Sequence, residues 1–375
     1  MKLALVIGTR PQIIKSSPVI KLAQDMNEIE LQIVHTGQHY DYKMSKIFFD
    51  EVCIPDPDIN LGIGSGTHAE QTGKMIISIE KALMKLKPDM VLIPGDTNST
   101  LSASLVAAKL KLAQSHLEAG ARIYDLQSPE EINRVVVDHV SSLLLTPCEN
   151  FSLNLKNEGI DSKKIHQVGD TMYDALKQNK DKFLRRQILD ELKLEGGSFS
   201  VLTLHRSENT DDPQFLTRIA QAVLDINDTI VFPAHPRVHK NLTSTGFMKK
   251  IDMCKHIKMI EPLSYLDMMK LVSEAKVVMT DSGGLQKEAF WLSTPCITLR
   301  ESTEWVETIQ LKANFLVGTN IKSIVDTFHS LADESRLKSN IRKIQNPYGD
   351  GNAAEKTLKS ILDSDIWNKD YQKKI

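Results

Sequence analysis

A chain of 375 residues, 41% of them apolar, is too long for one comfortable core, and two domains of ordinary size are expected. Its 46 basic and 48 acidic residues nearly cancel to a formal charge of -2, which excludes general binding to nucleic acid or a membrane surface; any bound anion must be met locally. Cys53, Cys148, Cys254 and Cys296 show no C-x-x-C spacing, so neither a zinc site nor a disulfide framework is expected, and the opening apolar run of about six residues is too short for a signal peptide or a bilayer span. A cytoplasmic protein is the expectation.

Along the chain, short runs rich in Val, Ile and Leu alternate with helical patterns, the signature of parallel sheets covered on both faces. The first half holds candidate strands at 3–8, 31–37, 89–96, 114–120 and 142–148, and the second at 199–206, 229–236, 257–262, 276–284, 295–300 and 314–319. Between them "KQNKDKFLRRQILDELKLEGGS", a charged helical stretch closed by Gly196-Gly197, reads as the inter-lobe connection. Nearly every strand ends in Gly, His, Asp, Arg or Glu. Ligands of open parallel sheets bind outside the carboxyl ends of the strands, so two such sheets facing each other would enclose a cleft lined by these groups.

The first strand leads into "GTRPQIIK", which lacks the G-x-G-x-x-G of a dinucleotide site, and no G-x-x-x-x-G-K-[ST] loop occurs. It offers instead a cationic corner of Arg10, Pro11 as a helix-start residue and Lys15, although Lys15 taken alone reads as a solvated helix face. Asp96 in "PGDTNST" fits a cap or turn as well as a working carboxylate. Glu118 ends a strand, where glutamate has low β propensity and no cap to form. Ser128, Pro129 and Glu131 have capping-box spacing, so Glu131 is assigned to the helix start and Glu130 is left without a structural job.

In the second half, His205 and Arg206 end a strand, and the histidine suits a proton donor, a cation beside phosphate or a hydrogen-bonded turn. His235 and His239 are spaced i, i+4, but Pro236 between them is read as spoiling a helix, and no metal site is expected. "TDSGGLQKEAF" reads as strand, Ser-Gly-Gly turn and a helix from near Leu285; phosphate binding at its N–H groups and a plain strand-to-helix turn both fit.

With these residues laid out, the chain resembles the non-hydrolysing UDP-N-acetylglucosamine 2-epimerases over almost its whole length. The resemblance rests on "GTRPQIIKSSPV", "TGQHYDYKM", "GDTNST", "LEAGAR", "SPEEINR", "HRSEN", "EPLSYLDM", "TDSGGLQKEA" and "LRESTEW", in family order. It implies a GT-B architecture: two Rossmann-like, doubly wound α/β lobes with an inter-lobe cleft, the first spanning about 1–175 plus a C-terminal helix at about 356–375 that crosses back, the second 176–355. It further implies a cytoplasmic homodimer that needs no cofactor, contacts neither nucleic acid nor membrane, and serves cell-surface polysaccharide synthesis.

The resemblance also implies roles. Asp96, Glu118 and Glu130 match the catalytic carboxylates and His205 the catalytic histidine, with the assignment of carboxylates to sugar faces left open. Arg10, Ser282, Gly283 and Gly284 match diphosphate contacts, Glu288 the group on the ribose hydroxyls and Arg134 a cation near the sugar phosphate; Lys15 and His235 join the substrate-binding set, and Pro262 to Tyr265 would hold the uracil. The UDP sugar is the implied substrate, with a UDP-2,3-diacetamido-uronate or a glycosyltransferase's acceptor reaction as alternatives. Gln38 and His39 match family members that bind a second, activating UDP sugar, but Tyr40-Asp41 and Ser207 depart from that pattern.

Overall fold

The computed structural model describes residues 1–38, 42–334, 336–364 and 366–368. Two compact units are present, one of Met1–Asn179 with Pro347–Ile375, the other of Lys180–Asn346. The chain thus leaves the first unit within the charged stretch read as the connection, and returns at Pro347, before the expected 356.

In the first unit seven strands form one parallel sheet: β1 (Lys2–Ile7), β2 (Glu30–His35), β3 (Ile59–Asn60), β4 (Met90–Pro94), β5 (Ala113–Leu117), β6 (Leu143–Thr146) and β7 (Ile165–Gln167), in the spatial order β3-β2-β1-β4-β5-β6-β7. Central strands are buried on both faces: β4 and β5 have no exposed residue and β1 only its first. Val6, Val34, Val91 and Ile93 pack against Ile79 and Leu83 of the helix His68–Leu86 and Ala103 and Ala107 of the helix Asn98–Lys109. Each such Val, Ile or Leu contributes about 1.5–3 kcal/mol by leaving water.

The helix Ala353–Asp363 packs on the helix Arg10–Gln24, and its Ala354 N–H donates to Asp174 Oδ2 at 2.7 Å. Burial pushes the Asp174 carboxyl up, only partly offset by the N–H groups of Ala354 and Ala353.

The second unit has six parallel strands, β8 (Ser200–Thr203), β9 (Ile230–Pro233), β10 (Ile257–Ile260), β11 (Val278–Thr280), β12 (Cys296–Thr298) and β13 (Asn314–Leu316), in the order β10-β9-β8-β11-β12-β13. This is the doubly wound plan repeated. In each sheet the strand order reverses once, between β1 and β4 and between β8 and β11, and the loops leaving those strands open the crevice where such sheets hold ligands.

All eleven expected strands are present. β3 and β7 add one edge strand to each side of the first sheet. Pro236 is corrected: it starts the helix Pro236–Ser244 rather than breaking one, because its missing N–H falls where no intrahelical partner exists, and His235 is the N-cap. The helix after β11 begins at Gly283, ahead of Leu285, with Ser282 as its cap.

Candidate active site

In the first unit, Pro94 of β4 lies opposite Leu117 of β5, so Asp96, two residues on, and Glu118, one residue on, leave the carboxyl edge side by side. Glu118 has a φ of 76°, a left-handed backbone rare outside glycine. The N–H groups of Glu118 and Ala119 both donate to Leu145 O, at 3.0 and 3.1 Å, which holds that turn. Gly120 follows at φ 87°, where a Cβ would lie 2.3 Å from Phe151 O, so the turn needs glycine there.

Lys15, read alone as a solvated residue, is instead buried and ion-paired with Glu118. A fixed pair spanning 103 residues of sequence joins the first helix to the end of β5.

Asp96 is clamped by Arg134, whose Nε and Nη2 donate to Oδ2 at 3.0 and 2.7 Å, while Asn133 Nδ2 donates to the Asp96 carbonyl at 2.8 Å. Both come from the helix Pro129–Val140. Arg134 Nη1 also donates to Glu131 Oε2 at 3.2 Å, so Arg134 lies between two carboxylates.

The capping box expected at Ser128 does not form, which corrects the role given to Glu131. The Ser128 side chain makes no cap bond and instead donates from Oγ to Glu130 Oε2 at 2.8 Å. Glu131, 1% exposed, turns back under the preceding loop and accepts from the N–H groups of Ile123 and Tyr124 at 2.9 to 3.2 Å. Glutamate reaches these donors because Tyr124, at φ 58°, folds the loop over it. Glu130 remains at the helix start, where it accepts from the Ser128 hydroxyl.

In the second unit the same arrangement recurs. Thr203 of β8 pairs with Thr280 of β11, which sets His205 beside Asp281 just past the sheet edge. His205 Nδ1 is 2.7 Å from Asp281 Oδ1. The buried Asp281 also accepts from the backbone N–H groups of His205 and Arg206 and from Asn209 Nδ2, at 3.1 to 3.2 Å. Burial pushes its carboxyl up, but attraction to His205 and the hydrogen bonds outweigh this and hold it below the usual range. The ionised aspartate can only accept, so Nδ1 carries a proton and Nε2 of this ring, 56% exposed, is left for a ligand. Asp281, which holds the His205 ring, was not singled out in the sequence; its strand-end position in "TDSGG" was the available signal.

After Asp281 the helix Gly283–Trp291 opens with Ser282, Gly283 and Gly284 partly exposed, and Ser282 Oγ accepts from Leu285 N–H at 3.4 Å. A Cβ on Gly283 would sit 2.6 Å from Glu304 Oε1 and 3.1 Å from Trp305 Nε1, so a larger residue would have to displace those side chains. Glu288 is buried on the same helix. The free N–H groups and dipole of such a start suit phosphate oxygens.

His235 accepts the Arg237 N–H on Nδ1 at 3.3 Å. Beyond it an open pocket of about 670 Å³, lined in part by Pro236, His239, Met259 and Glu261, lies at the carboxyl ends of β9 and β10. Arg10, in the first unit, stacks over the Phe48 ring at 4.8 Å. The structure thus groups Lys15, Asp96, Glu118, Glu130 and Arg134 in one unit, and His205, His235, Ser282, Gly283, Gly284 and Glu288 in the other. Gln38 is held by Ser99, whose N–H and Oγ donate to its Oε1 at 3.0 and 2.7 Å; His39, Tyr40 and Asp41 lie outside the described residues, as does the side chain of Ser207.

Among the described residues no helix is long and apolar enough to cross a membrane. A family model described as UDP-N-acetylglucosamine 2-epimerase matches residues 21–362. A UDP-N-acetylglucosamine 2-epimerase homolog of Methanococcus maripaludis is 46% identical over 365 residues, covering 96% of this chain and 99% of its own. A UDP-2,3-diacetamido-2,3-dideoxy-D-glucuronate 2-epimerase of Pseudomonas aeruginosa is 41% identical over 362 residues, covering 95% and 98%. The crystal structure of Methanocaldococcus jannaschii UDP-GlcNAc 2-epimerase in complex with UDP-GlcNAc and UDP superposes with a TM-score of 0.90 at 43% identity, covering 96% and 99%.

Proposed function

The chain belongs to the UDP-N-acetylglucosamine 2-epimerase family and is an isomerase of the GT-B fold class, and from that premise we propose that it interconverts UDP-N-acetylglucosamine and UDP-N-acetylmannosamine. The hydrogen on C2 is not acidic, because C1 carries no carbonyl. The reaction therefore runs by elimination: a carboxylate takes the C2 proton, the C1–O bond breaks, and UDP leaves with the electron pair, giving a glycal. Reprotonation of C2 from the other face and return of the UDP oxygen to C1 complete the inversion.

The observation that carries this reading is the set of carboxylates at the carboxyl edge of the first unit's sheet, where Asp96 and Glu118 leave adjacent strands and Glu130 lies in the first turn of the helix whose Arg134 holds Asp96. Glu118 and Asp96 are already engaged by Lys15 and Arg134, whereas Glu130, which accepts from the Ser128 hydroxyl and makes no ion pair among the described residues, is the carboxylate placed to hand over a proton. Protonation on both sugar faces requires at least two such groups. The second unit supplies what a leaving diphosphate requires: the helix start at Ser282 to Gly284, and His205 with Nδ1 fixed by Asp281. The loop Pro262 to Tyr265, which follows directly on Glu261 of the open pocket, is assigned to the base.

The likeness to the Pseudomonas aeruginosa enzyme favours one second reading, epimerisation at C2 of a UDP-2,3-diacetamido-uronate. Incubating the protein with each UDP sugar separately, without acceptor, metal or nicotinamide cofactor, tests the assignment. UDP-N-acetylmannosamine from UDP-N-acetylglucosamine supports it. Turnover of the uronate alone transfers the assignment to the second reading, and free N-acetylmannosamine with UDP marks a hydrolysing enzyme.

A further inference from the structure

His116 sits in β5 with no exposed surface, and its ring is held between two acceptors. Nδ1 is 2.6 Å from Asp138 Oδ1, and Nε2 is 2.7 Å from the Gly95 carbonyl. A carbonyl has no proton to give. Asp138 has none either: its second oxygen accepts from Arg122 Nη1 at 2.7 Å and from the Gly120 N–H at 3.1 Å. Both ring nitrogens must therefore donate, since a neutral imidazole would oppose a bare nitrogen to an oxygen lone pair on one side.

Arg122 also donates through Nε and Nη2 to the partly exposed Glu158 at 2.6 and 2.7 Å, and His139 Nδ1 lies 3.9 Å from the same carboxylate.

We propose that His116 is a buried imidazolium, donating from both ring nitrogens, that positions the two strand ends bearing the site carboxylates. Its Nε2–H fixes the Gly95 carbonyl, one residue ahead of Asp96, and its own strand delivers Glu118 two residues further on. The charged and titratable groups linked to it are Asp138 on the helix Pro129–Val140, Arg122 in the loop after β5, Glu158 beyond it and His139 beside Glu158; Lys15 and Arg134 hold Glu118 and Asp96 at the ends of the two strands. His116 touches no substrate in this scheme; it acts through Asp96 and Glu118. Its effect on turnover rests on the proposed epimerase reaction, but its protonation state does not.

The test is ring ¹⁵N NMR of the full-length, histidine-labelled protein at pH 8. One histidine with two protonated-type nitrogens is expected, and that signal should vanish in His116→Gln or, should that variant not fold, in His116→Asn. No doubly protonated ring in the wild type, or one that survives the substitution, overturns the proposal. Kinetics give the second arm. His116→Gln should lose on the order of 100-fold in kcat through misplacement of the carboxylates, with UDP affinity unchanged and the acid limb of the kcat/KM profile moved to higher pH, a displacement that a merely structural role would not produce. Wild-type kcat in a variant lacking the signal would overturn the positioning role. A doubly protonated ring in a wild-type protein that performs no epimerisation would support the charge assignment and reject the functional reading alone.

Discussion

Replacing Glu131 with Gln separates two accounts of one residue. Were Glu131 a capping-box residue, Gln would serve nearly as well and the change would be mild. In the structure its buried carboxylate accepts the N–H groups of Ile123 and Tyr124 and pairs with Arg134, so one of its oxygens becomes an amide N–H₂ facing a donor whichever way the side chain turns. A hydrogen bond to a charged group contributes about 1.5–3 kcal/mol, and removing one partner of a buried pair costs about 3–5 kcal/mol. Arg134 keeps Asp96, which puts the loss near the lower end, about 3 kcal/mol. For a lobe of this size that lowers Tm by about 6–12 °C. Thermal unfolding followed by circular dichroism measures it, with Glu130→Gln as the control. A Glu131→Gln protein melting within about 2 °C of wild type would refute the assignment of Glu131 as a buried loop anchor.

Glu130→Gln should lower epimerisation about 10²–10⁴-fold, the range for a lost acid/base group, with Tm unchanged; an active variant excludes Glu130 from proton transfer. Asp281→Asn removes the charge that holds the His205 ring and turns one accepting oxygen into an N–H₂ donor facing other donors, and should reduce kcat on the order of 100-fold while UDP binding persists, as measured by steady-state kinetics and calorimetry. His35, buried at the end of β2, has its pKa pushed down from 6.5 to about 4 by burial, with Asn60 offsetting part. The unfolded chain takes up this proton first, so stability is lost as pH falls from 6.5 to 4, on the order of 3 kcal/mol. Denaturant titrations of His35→Leu should lack that part of the acid dependence, and an unchanged slope would contradict it.

The central strands were legible because burial on both faces demands unbroken apolar runs, as in "MVLIP" of β4. β3 and β7 were not, being edge strands of two and three residues with polar positions. Ser282 was read at its strand-to-helix turn, where local chemistry governs the cap, whereas the helix capped by His235 was missed because Pro236 reads as a breaker rather than a first-turn residue. Glu131 was misread because its donors lie seven and eight residues back in a loop whose path the local pattern does not state. Lys15 with Glu118, and His205 with Asp281, are pairs 103 and 76 residues apart; only the strand order brings them together. The sequence pattern therefore reported where polar groups leave the sheet, and the topology reported which of them meet.

The most direct test of the proposed reaction is proton NMR of the protein with UDP-N-acetylglucosamine in D₂O, with no acceptor added. Removal and return of the C2 proton predicts a second anomeric signal from UDP-N-acetylmannosamine and solvent deuterium at C2 of the products. A protein that binds UDP yet forms the epimer with C2 hydrogen retained, or forms no epimer, would contradict proton abstraction by the carboxylates of the first unit.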